Sequence, residues 1–144
     1  MRLEPLLAEF ASRHRLPPFS ADERGDYALT VDTVLEMTIA PRGSGHALVS
    51  ATIGARPDAT PAGDAAVLRL LRLHFARSRE HREILACEDG KVVQTLPLAL
   101  GELSVDDFDQ ELAAFADALE FWRDQLAAVD TRRFVRPPMT MLFP

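Results

Sequence analysis

The order in which the hydrophobic spacing changes along the chain constrains its fold more than any single motif. Leu3, Leu6, Leu7, Phe10 and Ala11 recur at i, i+3, i+4, i+7 and i+8, the spacing of one buried helix face. Residues 27–31, 34–39 and 47–53 then alternate at period two, as half-buried strands do. Helical spacing returns over 67–75. Residues 84–87 and 92–96 flank Asp89-Gly90, a type I′ hairpin signal. Residues 105–129 follow as a long helix. The expected order is α-β-β-β-α-β-β-α, an α+β sandwich in which helices cover an antiparallel sheet.

Composition narrows the class of partner. A net charge of -6 argues against nucleic acid, because phosphate binding needs clustered Lys and Arg. The acids gather between Gly101 and Asp130, where Arg123 is the one base, and the end of the chain reverses this with Arg132, Arg133 and Arg136. At 144 residues the expectation is one domain over 1–130, with 131–144 as an extended, proline-containing tail. No apolar h-region follows Arg2, and no apolar run approaches the ~20 residues that a membrane-spanning helix needs. One cysteine, Cys87, cannot make an intrachain disulfide, in keeping with a reducing compartment. A cytoplasmic protein with no membrane insertion is therefore expected.

Pro17-Pro18 should stop the first helix, because the residue before a proline is pushed out of the α region. Tyr27, Leu29 and Val31 share one strand face, as do Leu35, Met37 and Ile39, and Val49, Ala51 and Ile53. Asp64 is the expected N-cap of the second helix. There Val67, Leu70, Leu71 and Phe75 form a stripe, with Leu68 and Leu73 lying off it. An apolar arc that wide needs cover on more than one side, and the expected second cover is another copy of the chain. The expected homodimer interface is Val67, Leu68, Leu71, Leu73 and Phe75, with Cys87 approaching its symmetry mate if the hairpin strand joins in. The third helix opens on Ser104 and Asp107, a variant of the capping box. Val105, Phe108, Leu112, Phe115, Leu119, Trp122, Leu126 and Val129 then step by three and four. This spacing also fits a coiled coil, but bulky Phe and Trp suit a sheet face better.

Little in the chain speaks of catalysis. Gly43-Ser44-Gly45 lacks the flanking spacing of a P-loop or a nucleophile elbow and reads as a hairpin turn. His14, His46, His74 and His81 are scattered, without a partner at metal-ligand spacing. Cys87 sits in an apolar strand and is expected to be a buried, inert thiol. The basic cluster around Arg77, Arg79 and Arg82 falls near a helix C-terminus, where cations meet the helix dipole favourably. No enzyme activity and no cofactor or metal are expected.

The element order and certain residues resemble the class I chaperones of bacterial type III secretion systems, the Tir-chaperone family. Leu6-Leu7 in a helix ahead of a β-meander and Leu70-Leu71-Arg72-Leu73-His74-Phe75 in the middle helix carry the likeness. So do the hairpin Glu88-Asp89-Gly90-Lys91-Val92-Val93 and the terminal helix with Leu112, Phe115, Leu119 and Trp122. His74 departs from the small polar residue that family members often carry there. The resemblance implies a cytoplasmic homodimer that binds the extended N-terminal segment of a secreted effector, keeps it secretion-competent and uses no ATP. An extended segment can add a strand to a sheet edge while its apolar side chains enter pockets. Leu3, Leu6, Phe10, Leu35, Met37 and Ile39 are the candidate effector contacts, though alternation alone does not separate cargo pocket from core. The alternative is a YbjN-like regulatory or stress-response domain of similar fold without secretion cargo.

Overall fold

In the computed structural model, residues 3–32 and 34–140 are described, with side chains to Val129. Helix α1 (Leu3–Arg13) buries Leu3, Leu6, Leu7, Phe10 and Ala11, the face its spacing predicts. It ends before Pro17 in a left-handed turn. Arg15 takes φ 55° and the Leu16 N–H returns 2.8 Å to the Ala11 carbonyl, the six-to-one closure of a Schellman cap.

Strands β1 (Tyr27–Val31), β2 (Leu35–Pro41), β3 (His46–Ala55), β4 (Ile84–Glu88) and β5 (Lys91–Ala99) form one antiparallel sheet in the order β1-β2-β3-β5-β4. The β4–β5 turn is the expected type I′, with Asp89 at φ 49° and Gly90 at φ 75°. Register aligns the inward residues: Leu29 opposes Met37, Ile39 opposes Val49, and Val49 opposes Leu96. Among the described residues β1 and β4 are the edges of the sheet, each paired on one side only.

One face of the sheet is covered by α1 and by α3 (Val105–Thr140). The reciprocal cap forms: the Asp107 N–H donates to Ser104 Oγ at 3.0 Å, and the Ser104 N–H points to Asp107 Oδ2 at 3.5 Å. Phe108, Leu112, Phe115, Leu119, Trp122, Leu126 and Val129 are all buried, so the seven-residue spacing serves the sheet and not a coiled-coil seam. Gln94 lies fully buried under this helix, its amide donating 3.0 Å to the Phe115 carbonyl. The helix continues to Thr140 where an extended tail was expected. Each further helical residue other than Pro137 and Pro138 can add a backbone hydrogen bond, and arginine is a good helix former. Residues 141–144 of the expected tail lie outside the described residues.

Helix α2 (Pro61–Arg77) begins four residues earlier than a cap at Asp64 would place it. Thr60, and not Asp64, is its N-cap: Thr60 Oγ1 accepts the Gly63 N–H at 3.1 Å, and Pro61 supplies a helix-ready φ at the first position. Gly63 is required there, since a Cβ would stand 1.7 Å from the Asp58 carbonyl oxygen. Asp64 falls in the first turn and pairs instead with Arg56 at 3.2 Å. The inward stripe is also not the expected one. Gly63, Ala66 and Leu70 are buried and Leu73 packs partly on the core, whereas Leu68, Leu71 and Phe75 face outward.

Candidate binding surfaces

The two edges of the sheet carry different surfaces. At the β4 edge, α2 presents Leu68, Leu71 and Phe75 at 47%, 43% and 79% exposure, and Ile84 adds to the apolar surface at 45%. These four exposed large apolar side chains make this side a candidate interaction face. Polar and aromatic contacts hold α2 in place. His74 Nε2 donates to the Glu83 carbonyl at 2.8 Å, a partner that fixes the proton on that nitrogen. Trp122 Nε1 donates to the buried Glu83 carboxylate at 3.0 Å, and the Arg77 guanidinium lies 3.8 Å above the Phe121 ring. The basic cluster is thus not a free cap. Arg77 stacks on α3, and Arg82 reaches Glu111 at 2.5 Å.

Of the expected interface residues, Leu68, Leu71 and Phe75 are exposed, Val67 is half-buried, and Leu73 is taken up largely by the core. Cys87 is exposed and not buried as expected. Its side chain belongs to the inward face, opposite Val92, but among the described residues β4 has no strand beyond it, and Cys87 lies near the end of that edge.

At the β1 edge the surface is concave. A cavity of about 490 Å³ opens between α1 and the connector that follows it, lined by Leu7, Ala8, Leu16, Phe19 and Tyr27 among others. A second, of about 350 Å³, lies between β1, α1 and α3, with Phe10, Leu16, Leu29, Val31 and Leu112 in its walls. Arg13 pairs with Asp106 at 2.6 Å and His14 with Asp109 at 3.0 Å, tying α1 to the first turns of α3. These pairs are largely exposed and contribute modestly. The Tyr27 hydroxyl points at Glu4 Oε1 from 3.5 Å. Burial above all, then the charge of Glu4 and its hydrogen bond, raise the Tyr27 pKa above its usual value.

The candidate effector contacts do not lie on open surface. Leu3, Leu6, Phe10, Leu35, Met37 and Ile39 are all buried in the chain's own core, and of these Phe10 alone also borders one of the two cavities. Alternation and helical spacing found the inward face, and here that face meets α1, α3 and the sheet. Sequence reasoning missed Leu16 and Phe19. Their signal was faint: two apolar residues flanking Pro17-Pro18 in a stretch without any period. Among the described residues no group of three or more His, Cys, Asp or Glu could hold a metal ion, and no helix is long and apolar enough to cross a membrane.

Comparison with known proteins places this geometry. A search of curated proteins finds no match. Among solved structures, a chain from the ExsC-ExsE complex is 25% identical with a TM-score of 0.69, the match covering 86% of this chain and 96% of that one. The Yersinia pestis type III secretion chaperone SycH, solved with a stable fragment of YscM2, is 20% identical with a TM-score of 0.64, over 83% of this chain and 98% of that one. A chain of the heterodimeric ExoU-SpcU complex from the type III secretion system of Pseudomonas aeruginosa is 18% identical with a TM-score of 0.63, over 85% and 96%. The last two likenesses establish the fold alone. The family model for the Tir chaperone proteins matches residues 5–123, most of the chain, and the protein belongs to the Tir chaperone protein (CesT) family.

Proposed function

We propose that this protein is a cytoplasmic type III secretion chaperone that binds the extended N-terminal segment of a secreted effector and keeps it secretion-competent. It belongs to a family of chaperones and not of enzymes. The relatives solved as ExsC-ExsE, SycH with a YscM2 fragment, and ExoU-SpcU are complexes with a bound protein, which supports the same role here. The observation that carries the reading on this chain is the β1 edge. It pairs on one side only and is flanked by two cavities with apolar walls, a geometry suited to strand addition with side chains docking in pockets. The α2 face supplies the second half of the reading, a homodimer contact through Leu68, Leu71 and Phe75. A segment without its own globular fold can wrap such a dimer over a large area. Binding uses neither nucleotide nor metal, so chelator and added ATP leave it unchanged.

The test is purification of the protein from its native bacterium, identification of what travels with it, and limited proteolysis of that complex. The expected result is an effector protected over several tens of residues near its N-terminus, with the protected piece unfolded when released. Protection of a folded domain, or the absence of any secreted protein, overturns the proposal and favours the cargo-free regulatory domain.

A further inference from the structure

The two cavities beside β1 share a wall, and the end of α1 fixes where that wall stands. Pro17-Pro18 cannot continue the helix, so Arg15 turns left-handed and the Leu16 N–H closes back on the Ala11 carbonyl. In this cap the residue after the left-handed one folds back over the last helical turn. Leu16 is accordingly half-buried, packed against the core, and lines both cavities. On one side stand Phe19 and Tyr27, on the other Phe10, Leu29 and Val31.

We infer that Leu16 is a specificity-determining partition: it divides the cargo site beside β1 into two side-chain cavities and thereby sets the spacing of two aliphatic anchors on the bound segment. The inference rests on strand addition at β1, as proposed above. Side chains of a strand alternate between faces, so anchors that both reach the helix-covered side must be an even number of residues apart. Tyr27 borders the first cavity, and Leu29 and Val31 the second. Anchors two or four residues apart span about 7 or about 13 Å, the separations that an added strand would match along β1. With Leu16 in place one of these separations fits both cavities. Without its side chain the two cavities merge, and either separation is accommodated.

The probes are synthetic Thr-rich peptides that differ in one respect, carrying two leucines two, three or four residues apart. Fluorescence anisotropy measures their binding to the full-length wild type, to Leu16→Ala and to Leu16→Met. The wild type should prefer one even spacing over the other by at least roughly tenfold, the scale on which a shaped apolar pocket discriminates, and bind the odd spacing most weakly. Leu16→Ala should bind both even spacings within about twofold of each other while keeping the wild-type circular dichroism spectrum. Leu16→Met conserves side-chain volume and should keep the preference, which preserves the test should the alanine variant unfold. A wild type indifferent between the even spacings, or a Leu16→Ala that retains the preference, overturns the partition and leaves strand addition standing. Failure of the wild type to bind any of the peptides overturns both.

Discussion

Helices α2 and α3 are both rich in large apolar residues, yet they use them in opposite ways. From Phe108 to Val129, α3 turns its three-and-four series wholly inward, onto the sheet. α2 divides its apolar residues, with Ala66, Leu70 and Leu73 toward the body and Leu68, Leu71 and Phe75 away from it. A single stripe is matched by one neighbour, whereas an arc that spills past the stripe asks for two. α3 is therefore a stabilising element, whereas α2, held to the body by a few directed contacts, carries the contact between copies proposed above. The Arg77 stack on Phe121 and the His74 bond to the Glu83 carbonyl suit that arrangement, since they fix orientation with little buried area.

The sharpest way to break this contrast is at Trp122, which is 1% exposed and hydrogen-bonded to Glu83. Trp122→Ala removes a large core side chain and leaves a buried carboxylate without its donor. The expected loss is about 3–5 kcal/mol of unfolding free energy, read from urea denaturation, at the upper end if Glu83 finds no new partner. Phe75→Ala on α2 removes a ring of which most is already in water, and should change the unfolding of a dilute, monomeric sample by less than about 0.5 kcal/mol. Equal losses for the two would erase the distinction.

Leu68→Asp sharpens the contrast from the other side. It sets an unpaired charge in the proposed contact between copies without touching the core. Light scattering at micromolar concentration should show a wild-type dimer and a folded monomeric variant. Thermal midpoints should rise with protein concentration for the wild type alone, because association stabilises by mass action. A wild type that is a stable monomer at that concentration removes the role assigned to α2.

How far the sequence discloses the molecule depends on whether a residue belongs to a periodic run. Tyr27, Leu29, Met37, Ile39 and Val49 sit in alternating segments, and the sheet follows from them. The α3 series and the Asp89-Gly90 turn are equally plain, because a hairpin of that type demands two positive φ angles. The inward face of α2 is not plain. Val67, Leu71 and Phe75 repeat every four residues as well as Ala66 and Leu70 do, and their greater hydrophobicity points to the wrong side. Cys87 obeys its alternation, but its exposure depends on β4 being an edge, which is a property of strand order. Leu16 and Phe19 belong to no period at all. The cavities they line arise from a helix cap and two prolines acting together, and so appear only when the chain is seen folded.

The helix starts give a smaller and more even comparison. Thr60 caps α2 through Gly63, and Ser104 caps α3 through Asp107. Thr60→Ala and Ser104→Ala each remove one acceptor and should each cost about 1 kcal/mol of total stability. They should differ in where the cost falls. Hydrogen exchange should quicken locally along α2 in the first variant, since that helix has little buried area to hold it. In the second, exchange should change together across the sheet and α3. Uniform quickening in both would mean that α2 is as firmly integrated as α3.

The smallest expected effect lies at the β1 end, on the Tyr27 hydroxyl. The hydroxyl is 3.5 Å from Glu4 Oε1, long for a hydrogen bond between oxygens, so Tyr27→Phe should shift stability near neutral pH by less than about 0.5 kcal/mol. Alkaline pH separates the two proteins. Burial first, and then the Glu4 charge, hold the phenol neutral in the folded chain and raise its pKa above the usual value. The unfolded chain releases that proton near pH 10, as an ordinary tyrosine does. Below this value the stability linked to the group is fully present, and it is lost as pH rises through the higher folded value. Thermal midpoints followed upward from neutral pH should therefore fall more steeply for the wild type than for Tyr27→Phe once about pH 10 is passed. Coincident curves would show that Glu4 and the α1 side of this cavity leave the Tyr27 hydroxyl as well solvated as in the unfolded chain, and that this end of the sheet is open to water well beneath its rim.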